Sequence, residues 1–160
     1  PIRDKSHYDR LWYAVKNNLN DTIGSDHAPH LKKNKEKVYP NSPSGMPGVQ
    51  TLMPVRLDHV NSGKLSINQL MSFVCENPVK IFGIKNKGFI KEKYDADFTI
   101  VNMSKKITIK NENIQSQCKW SPFNNVELKG TPVATIIAGK IKMKEGKILG
   151  EPEGNPLIFN

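Results

Sequence analysis

The chain has 160 residues, enough for one domain or for part of a larger one, and a hydrophobic share of 37% allows only a modest core. No run of 18 apolar residues offers a membrane span, and two cysteines do not make a disulfide framework, so we expect a cytoplasmic protein that does not bind membranes. The net charge of +9 comes from scattered lysines, which favours a solvated surface over a nucleic-acid interface; a basic nucleic-acid module is the weaker alternative.

The first elements in chain order are a helix, a strand and a long loop. Apolar residues recur at three- and four-residue steps and predict an amphipathic helix over 5–17. A short run containing Thr22 and Ile23 predicts a strand over 21–25. The stretch 28–47 is rich in Pro, Gly, Ser and Lys, and long loops of this kind are often functional.

Three further helices are predicted before the pattern changes. One covers about 49–60, and the next covers 66–76 with Ser66 as its N-cap. A short helix over 79–82 follows Asn77-Pro78 and ends at Gly83.

The second half of the chain is predicted to be β-structure. Runs of β-branched and apolar residues alternate with turns at Gly139-Lys140 and Glu145-Gly146. The predicted strands are 98–101, 107–109, 133–137 and 141–143.

This layout cannot be a complete α/β fold, because a single parallel strand needs neighbours and cover on both faces. We therefore predict an α/β protein in which 1–88 is the last βα portion of a (β/α)8 TIM barrel and 89–160 supplies strands of a small β-sandwich domain. If the chain is isolated, apolar side chains of that β domain should be exposed and prone to aggregate. These are Ile100, Ile107, Ile109, Val133, Ile136 and Ile137.

The stretch SDHAPH, residues 25–30, follows the predicted strand and carries the densest chemistry in the chain. Active-site groups of such barrels lie at the C-terminal ends of strands, where a carboxylate such as Asp26 can bind a metal or transfer a proton. Pro29 stiffens the turn and frees His30 to point at a ligand. The alternative is that Asp26 caps a turn and both histidines are surface residues, since a zinc site needs three or four ligands. The chain's other histidines, His7 and His59, lie in helical patterns and are expected to be structural.

SDHAPH resembles the motif after the eighth strand in dihydroorotases of the amidohydrolase superfamily, which are metal-dependent barrel enzymes. Other stretches resemble the same family in the same order, including the end of an N-P-P-[LI]-R motif, a substrate loop, an N-P turn, a D-A-D strand and the tail. They are Pro1-Ile2-Arg3, 43–51, 77–83, 95–101, 120–123 and 138–140.

The resemblance implies roles for four residues. Asp26 would be the final zinc ligand and a catalytic proton shuttle, passing a proton to the leaving amide nitrogen. His30 would bind the carboxylate of the substrate, and Ser44 and Gly45 would contact its ring largely through backbone groups. The remaining ligands for one or two zinc ions would belong to an upstream segment of the same enzyme, so we expect no turnover from this polypeptide alone.

The activity implied is reversible, zinc-dependent hydrolysis of dihydroorotate to N-carbamoyl-aspartate in pyrimidine biosynthesis. One alternative keeps the fold and changes the small-molecule substrate, as in a hydantoinase or allantoinase. Another is a catalytically silent relative that acts as a scaffold for an aspartate transcarbamoylase partner. A homo-oligomer is also expected, and His27 is left as a structural residue or as one that supports the residues contacting the metal or substrate.

Overall fold

The computed structural model describes residues 4–160, so the stretch Pro1-Ile2-Arg3 lies outside the described residues. The helical elements occupy the first half of the chain. They are a 3-10 turn Lys5–His7, α1 Tyr8–Lys16, α2 Lys32–Lys35, α3 Leu52–Asn61, α4 Ile67–Met71, a π-helical segment Ser72–Glu76, and α5 Asn77–Phe82. The strands are β1 Phe98–Thr108, β2 Glu127–Ile137, β3 Lys140–Lys144 and β4 Lys147–Ile148, with a 3-10 turn Asn111–Asn113 between β1 and β2.

Two predicted helix ends agree with the structure, whereas α3 begins at Leu52 and not at about 49, and α5 begins at Asn77 and not at 79. Ser66 caps α4 with a complete capping box: its side chain accepts from the backbone N–H of Gln69, and the Gln69 side chain accepts from the backbone N–H of Ser66. Gly83 ends α5 in the left-handed conformation. The helix predicted over 66–76 is nevertheless two elements, because its second half widens into the π-helical segment.

The strand predicted over 21–25 is wrong for the described chain, in which no strand is formed there. A parallel strand needs hydrogen-bonding neighbours, and residues 4–160 contain no other barrel strand to pair with it. The segment is held instead by the helices that follow. The N–H of Ile23 donates to the carbonyl oxygen of Phe73 at 3.2 Å, and Asn77 Nδ2 donates to that of Asp21 at 2.8 Å.

The four strands form one antiparallel sheet in the order β1-β2-β3-β4. The two runs predicted over 98–101 and 107–109 merge into the single strand β1, with the register irregular between Asn102 and Lys106. The Asn102 side chain turns the chain at this irregularity, since its Oδ1 accepts from the backbone N–H groups of Ser104 and Lys105.

Helix α3 contributes to both apolar clusters of the core. On one side Leu57 packs with Leu65 and Leu70, and Trp12 and Val15 of α1 lie against them. On the other side Val55 packs with residues of the β region, namely Ile109, Ile114 and Leu128. The two halves of the chain therefore share a core through α3, and a domain boundary at residue 88 stays a prediction.

The exposure predicted for the Ile109 side chain is wrong. It is only 9% exposed because it belongs to the cluster around Val55. Ile100 and Ile137 are exposed as expected, at 49% and 40%, whereas the three other residues predicted to be exposed are half-buried. Among the helices of residues 4–160, not one has the length and apolar character that crossing a bilayer requires.

Candidate functional site

The SDHAPH segment, residues 25–30, lies directly against the loop 43–49. His27 and Met46 form an isolated parallel bridge, and the N–H of Ala28 donates to the carbonyl oxygen of Met46 at 3.0 Å. The proposed metal-binding segment and the proposed substrate loop, separated by more than ten residues in the sequence, are thus adjacent in space.

Two glycines make this contact possible. A Cβ atom on Gly45 would lie 2.5 Å from the Cβ atom of Ala28, and the φ angle of Gly45 is +88°. A Cβ atom on Gly48 would lie 2.6 Å from the backbone oxygen of Ser25. Any side chain at either position would separate the loop from the segment.

The imidazole of His27 fastens the same contact. Its Nδ1 accepts from the backbone N–H of Gly48 at 3.1 Å and lies 3.4 Å from that of Val49. Because Nδ1 accepts, the ring proton of the neutral imidazole resides on Nε2. His27 is therefore half-buried and occupied with the loop, in agreement with the structural role expected for it.

Asp26 is exposed, and its backbone adopts a φ of +43°, in the left-handed region that few residues other than glycine enter. Its carboxylate makes no hydrogen bond or ion pair with any residue in 4–160. Strained backbone of this kind is common at functional sites. The arrangement leaves a carboxylate free to meet a ligand, and it does not support the alternative in which Asp26 caps a turn.

His30 is half-buried, and its backbone is held on both sides. Its N–H donates to the carbonyl oxygen of Ala28 at 2.9 Å, across Pro29. Its own carbonyl oxygen accepts from the indole Nε1 of Trp120 at 2.8 Å. In the sequence, Trp120 stands out only as part of the tail resemblance, without a role at the site. Its partner His30 lies 90 positions away, and no local sequence pattern reveals a contact over that separation.

Ser44 and Gly45 are both exposed beside the segment, and Gly45 faces Ala28 of the segment at close range. The loop before them is braced by α2. The Lys35 Nζ donates to the carbonyl oxygen of Pro43, and the Ser42 hydroxyl donates to the carbonyl oxygen of Lys35 at 3.0 Å. Lys35 is thus a structural residue of the loop.

The described residues do not form a complete metal site. Within residues 4–160 no group of three or more His, Cys, Asp and Glu side chains could hold a metal ion. Asp26 offers one carboxylate, whereas zinc requires three or four ligands. The described part of the chain can contribute one ligand but does not make a zinc site by itself.

A groove of about 1010 Å³ lies on the side of the loop that faces the sheet. His27, Gly48 and Trp120 line it together with residues of the β region. Neither Asp26 nor His30 is among its lining residues, so the groove borders the segment and the loop through His27 and Gly48 without including the Asp26 carboxylate.

These features define the last unit of a (β/α)8 barrel of the hydrolase type, with an exposed carboxylate beside a glycine-dependent loop, followed by strands of a β domain. Residues 3–142 match the Amidohydrolase family, and the chain belongs to that family.

Relatives and solved structures agree with this membership. The chain is 39% identical over 158 residues to a dihydroorotase from Pyrococcus furiosus, covering 99% of this chain and 36% of the relative. It is 34% identical over 156 residues to an L-hydantoinase from Paenarthrobacter aurescens, covering 94% of this chain and 34% of the relative.

Among solved structures, an L-hydantoinase (dihydropyrimidinase) from Arthrobacter aurescens superposes with a TM-score of 0.90 at 34% identity, covering 94% of this chain and 35% of that chain. A D-hydantoinase superposes with a TM-score of 0.88 at 29% identity, covering 94% of this chain and 34% of that one. The chain therefore spans about a third of the length of the proteins it matches.

Proposed function

We propose that this chain supplies the C-terminal part of a zinc-dependent dihydroorotase, which interconverts dihydroorotate and N-carbamoyl-aspartate in pyrimidine biosynthesis. The observation that carries the proposal is the contact between the SDHAPH segment and the loop 43–49. That contact sets the segment, which carries Asp26 and His30, against the loop that carries Ser44 and Gly45, as the proposal requires. A homo-oligomeric state and a cytoplasmic location are part of the same proposal.

In the proposed reaction, water attacks the ring carbonyl carbon and the carbon–nitrogen bond of the cyclic amide breaks. Zinc, when bound, acidifies water and polarises the carbonyl group. Asp26 accepts the proton that the attacking water loses and gives it to the departing nitrogen, so the carboxylate is regenerated. His30 donates a charge-assisted hydrogen bond to the ring carboxylate, and the backbone at Ser44 and Gly45 contacts the ring.

His30 separates the proposed substrate from the alternatives. Dihydroorotate carries a carboxylate on its ring, whereas a simple hydantoin does not, and an anion-binding histidine suits the former. The identity to the Pyrococcus furiosus dihydroorotase is 39%, against 34% to the L-hydantoinase. The TM-score of 0.90 to an L-hydantoinase keeps a hydantoinase as the second candidate.

The test is complementation. We define the fused enzyme as the part of the Pyrococcus furiosus relative that precedes its matched region, joined to residues 1–160 of this chain. The fused enzyme should open the ring of dihydroorotate, and the 160-residue chain alone should not. Turnover of a hydantoin but not of dihydroorotate by the fused enzyme would select the second candidate, and turnover by the chain alone would refute the proposed division of the site.

Two substitutions in the fused enzyme assign the roles. Asp26→Asn should lower kcat by at least a hundredfold, as the loss of a proton-transferring group does, and should reduce bound zinc. Asp9→Asn, an exposed acidic residue on α1, is the matched control and should leave both unchanged. Normal zinc content and kcat in Asp26→Asn would show that Asp26 neither binds zinc nor transfers the proton.

His30→Ala should raise KM for dihydroorotate by about tenfold or more, because a hydrogen bond to a charged group is lost. His7→Ala, at an exposed position of the first 3-10 turn, is its control. An unchanged KM would argue for a substrate without a carboxylate.

The catalytically silent scaffold is separated by a different measurement. Protein purified from its own cells should contain zinc and turn over dihydroorotate. A zinc-free, inactive protein that co-purifies with an aspartate transcarbamoylase would support the scaffold instead.

A further inference from the structure

We propose that Trp120 is a positioning residue for His30 and thereby sets the affinity of the site for a carboxylated ring. The inference rests on the proposed function, because it assigns a purpose to the backbone contact of the residue taken to bind the substrate carboxylate. Its physical basis is the 2.8 Å hydrogen bond from the indole Nε1 of Trp120 to the carbonyl oxygen of His30.

This bond fixes the direction of the His30 side chain. Pro29 restricts the backbone before His30, and the His30 N–H is bonded to the carbonyl oxygen of Ala28. The Trp120 bond holds the peptide group on the other side. With both flanking peptide groups fixed, the Cα–Cβ bond of His30 has one orientation, and only side-chain rotation remains free.

The Trp120 bond is also the direct hydrogen bond between the SDHAPH segment and the β region that follows residue 88. Within residues 4–160, no other hydrogen bond joins the SDHAPH segment to the chain after residue 88. The loop gives only an indirect route, in which Gln50 bonds Asn113 and Gln115 while the N–H groups of Gly48 and Val49 bond His27. The direct hydrogen-bonding constraint on His30 from the β region comes through Trp120.

Trp120 is itself held firmly by its neighbours. Ser121 is buried, its N–H donates to Asn111 Oδ1 at 2.9 Å, and its hydroxyl accepts from the N–H of Phe123 at 3.1 Å. The Lys119 side chain donates to the carbonyl oxygen of Ile114 at 3.0 Å. The indole is therefore presented from an anchored loop, which makes it a fixed donor for His30.

The test is Trp120→Phe in the fused enzyme, which keeps an aromatic ring and removes the donor. We expect KM for dihydroorotate to rise about tenfold, the effect of losing one hydrogen bond, with kcat within about twofold of the unsubstituted enzyme. Trp12→Phe changes the other tryptophan of residues 1–160, which packs against the cluster of Leu57, Leu65 and Leu70, and should leave KM unchanged.

A double-mutant cycle separates positioning from a merely structural role. If Trp120 acts through the His30 imidazole, Trp120→Phe should have no further effect on KM in a His30→Ala enzyme. An equal rise in KM in both backgrounds, or no rise in either, would overturn the inference.

A second measurement covers the case in which Trp120→Phe fails to fold. Residues 1–160, with ¹⁵N-labelled indoles and the Trp12→Phe substitution, are ligated to an unlabelled upstream part, so that Trp120 gives the one labelled indole resonance. That Nε1–H resonance should shift on titration with dihydroorotate. An unmoved Trp120 resonance at saturation would contradict the inference. If the unsubstituted fused enzyme is inactive on dihydroorotate, the proposed function fails; if it is active and Trp120→Phe changes nothing, only this inference fails.

Discussion

The carboxylate of Asp97 accepts a hydrogen bond of 2.7 Å from the backbone N–H of Ala138. Ala138 opens the turn between β2 and β3 with a φ of +49°, and Asp97 immediately precedes β1. Lys87 binds Asp97 as well and pairs with Asp95 at 2.9 Å. The D-A-D and A-G-K stretches are therefore one structural device that fixes the hairpin turn to the start of the sheet.

Removing the Asp97 carboxylate should loosen this turn. The N–H of Ala138, followed by Lys87, holds the pKa of Asp97 below its ordinary value. The stabilisation is therefore fully present above the ordinary pKa of about 3.9 and is lost as pH falls through the lower folded value. At neutral pH, Asp97→Ala in the fused enzyme should increase hydrogen–deuterium exchange of the peptide containing Ala138 by about fivefold, since one hydrogen bond is worth about 1 kcal/mol.

Asp95→Ala serves as the control for that experiment. It removes a neighbouring acidic partner of Lys87 but leaves the Ala138 bond intact, so exchange at Ala138 should change little. Equal acceleration in the two variants would mean that the ion pair, and not the hydrogen bond, holds the turn.

Gly48→Ala should disrupt the candidate site while a similar change nearby should not. The new Cβ atom would meet the backbone oxygen of Ser25 at 2.6 Å, and backbone cannot move aside cheaply. A clash of this kind costs about 1–3 kcal/mol and would push the loop 43–49 away from Asp26. We expect kcat/KM of the fused enzyme to fall by at least tenfold.

Gly24→Ala is the control for Gly48→Ala, because a Cβ atom at position 24 has no neighbour within 4 Å. Its kcat/KM should stay within about twofold of the unsubstituted enzyme, as expected for a substitution without a steric consequence. A similar loss in both variants would show that this part of the chain is sensitive to any added methyl group.

Asn61 fastens α3 to the sheet and should be intolerant of substitution. Its Nδ2 donates to the carbonyl oxygens of Leu57, Met103 and Lys129, at 3.1, 3.0 and 2.8 Å. We expect Asn61→Ala to lower the free energy of unfolding by about 1–3 kcal/mol. Asn61→Asp should lower it further, because a carboxylate would stand against these carbonyl acceptors without a hydrogen to donate. Thermal unfolding of the fused enzyme measures both, and Asn113→Ala, an exposed position with no such side-chain contacts, is the control. The opposite ranking of the two variants would argue that Asn61 contributes by packing.

Local elements were predictable because their causes are local. The capping box of Ser66 and the end of α5 at Gly83 depend on residues a few positions apart, and the structure has them where the sequence places them. The turn predicted at Glu145-Gly146 is also present, whereas the one predicted at Gly139-Lys140 lies one residue earlier, because Lys140 already belongs to β3. The strand over 21–25 failed because its pairing partners would have to come from residues outside those described.

The site divides in the same way. Asp26 and His30 were indicated by their place after a predicted strand, whereas Ser44 and Gly45 were proposed through resemblance. The contact between the segment and the loop depends on Gly48, which the sequence alone did not single out. The contact of Trp120 with His30 was not predicted, because its hydrogen bond joins two regions far apart in the chain. Long-range contacts of single side chains leave no periodic signal.

His59 should make the protein sensitive to mild acid. The ring stands edge-on to Trp12, with centroids 4.9 Å apart, and its Nδ1 lies 3.2 Å from Arg56 Nη1. Burial, and then the positive charges of Arg56 and Lys64, lower the pKa of His59 to about 4, with Asp58 opposing them.

An unfolded histidine titrates near 6.5, so the unfolded state binds a proton first as pH falls. Stability is therefore complete above about pH 6.5 and declines between there and about pH 4, by on the order of 1 kcal/mol for this half-exposed ring. His59→Gln should remove that part of the pH dependence of thermal unfolding in the fused enzyme, and His7→Ala should not. An NMR titration of the His59 ring with a midpoint near 6.5 would contradict the prediction.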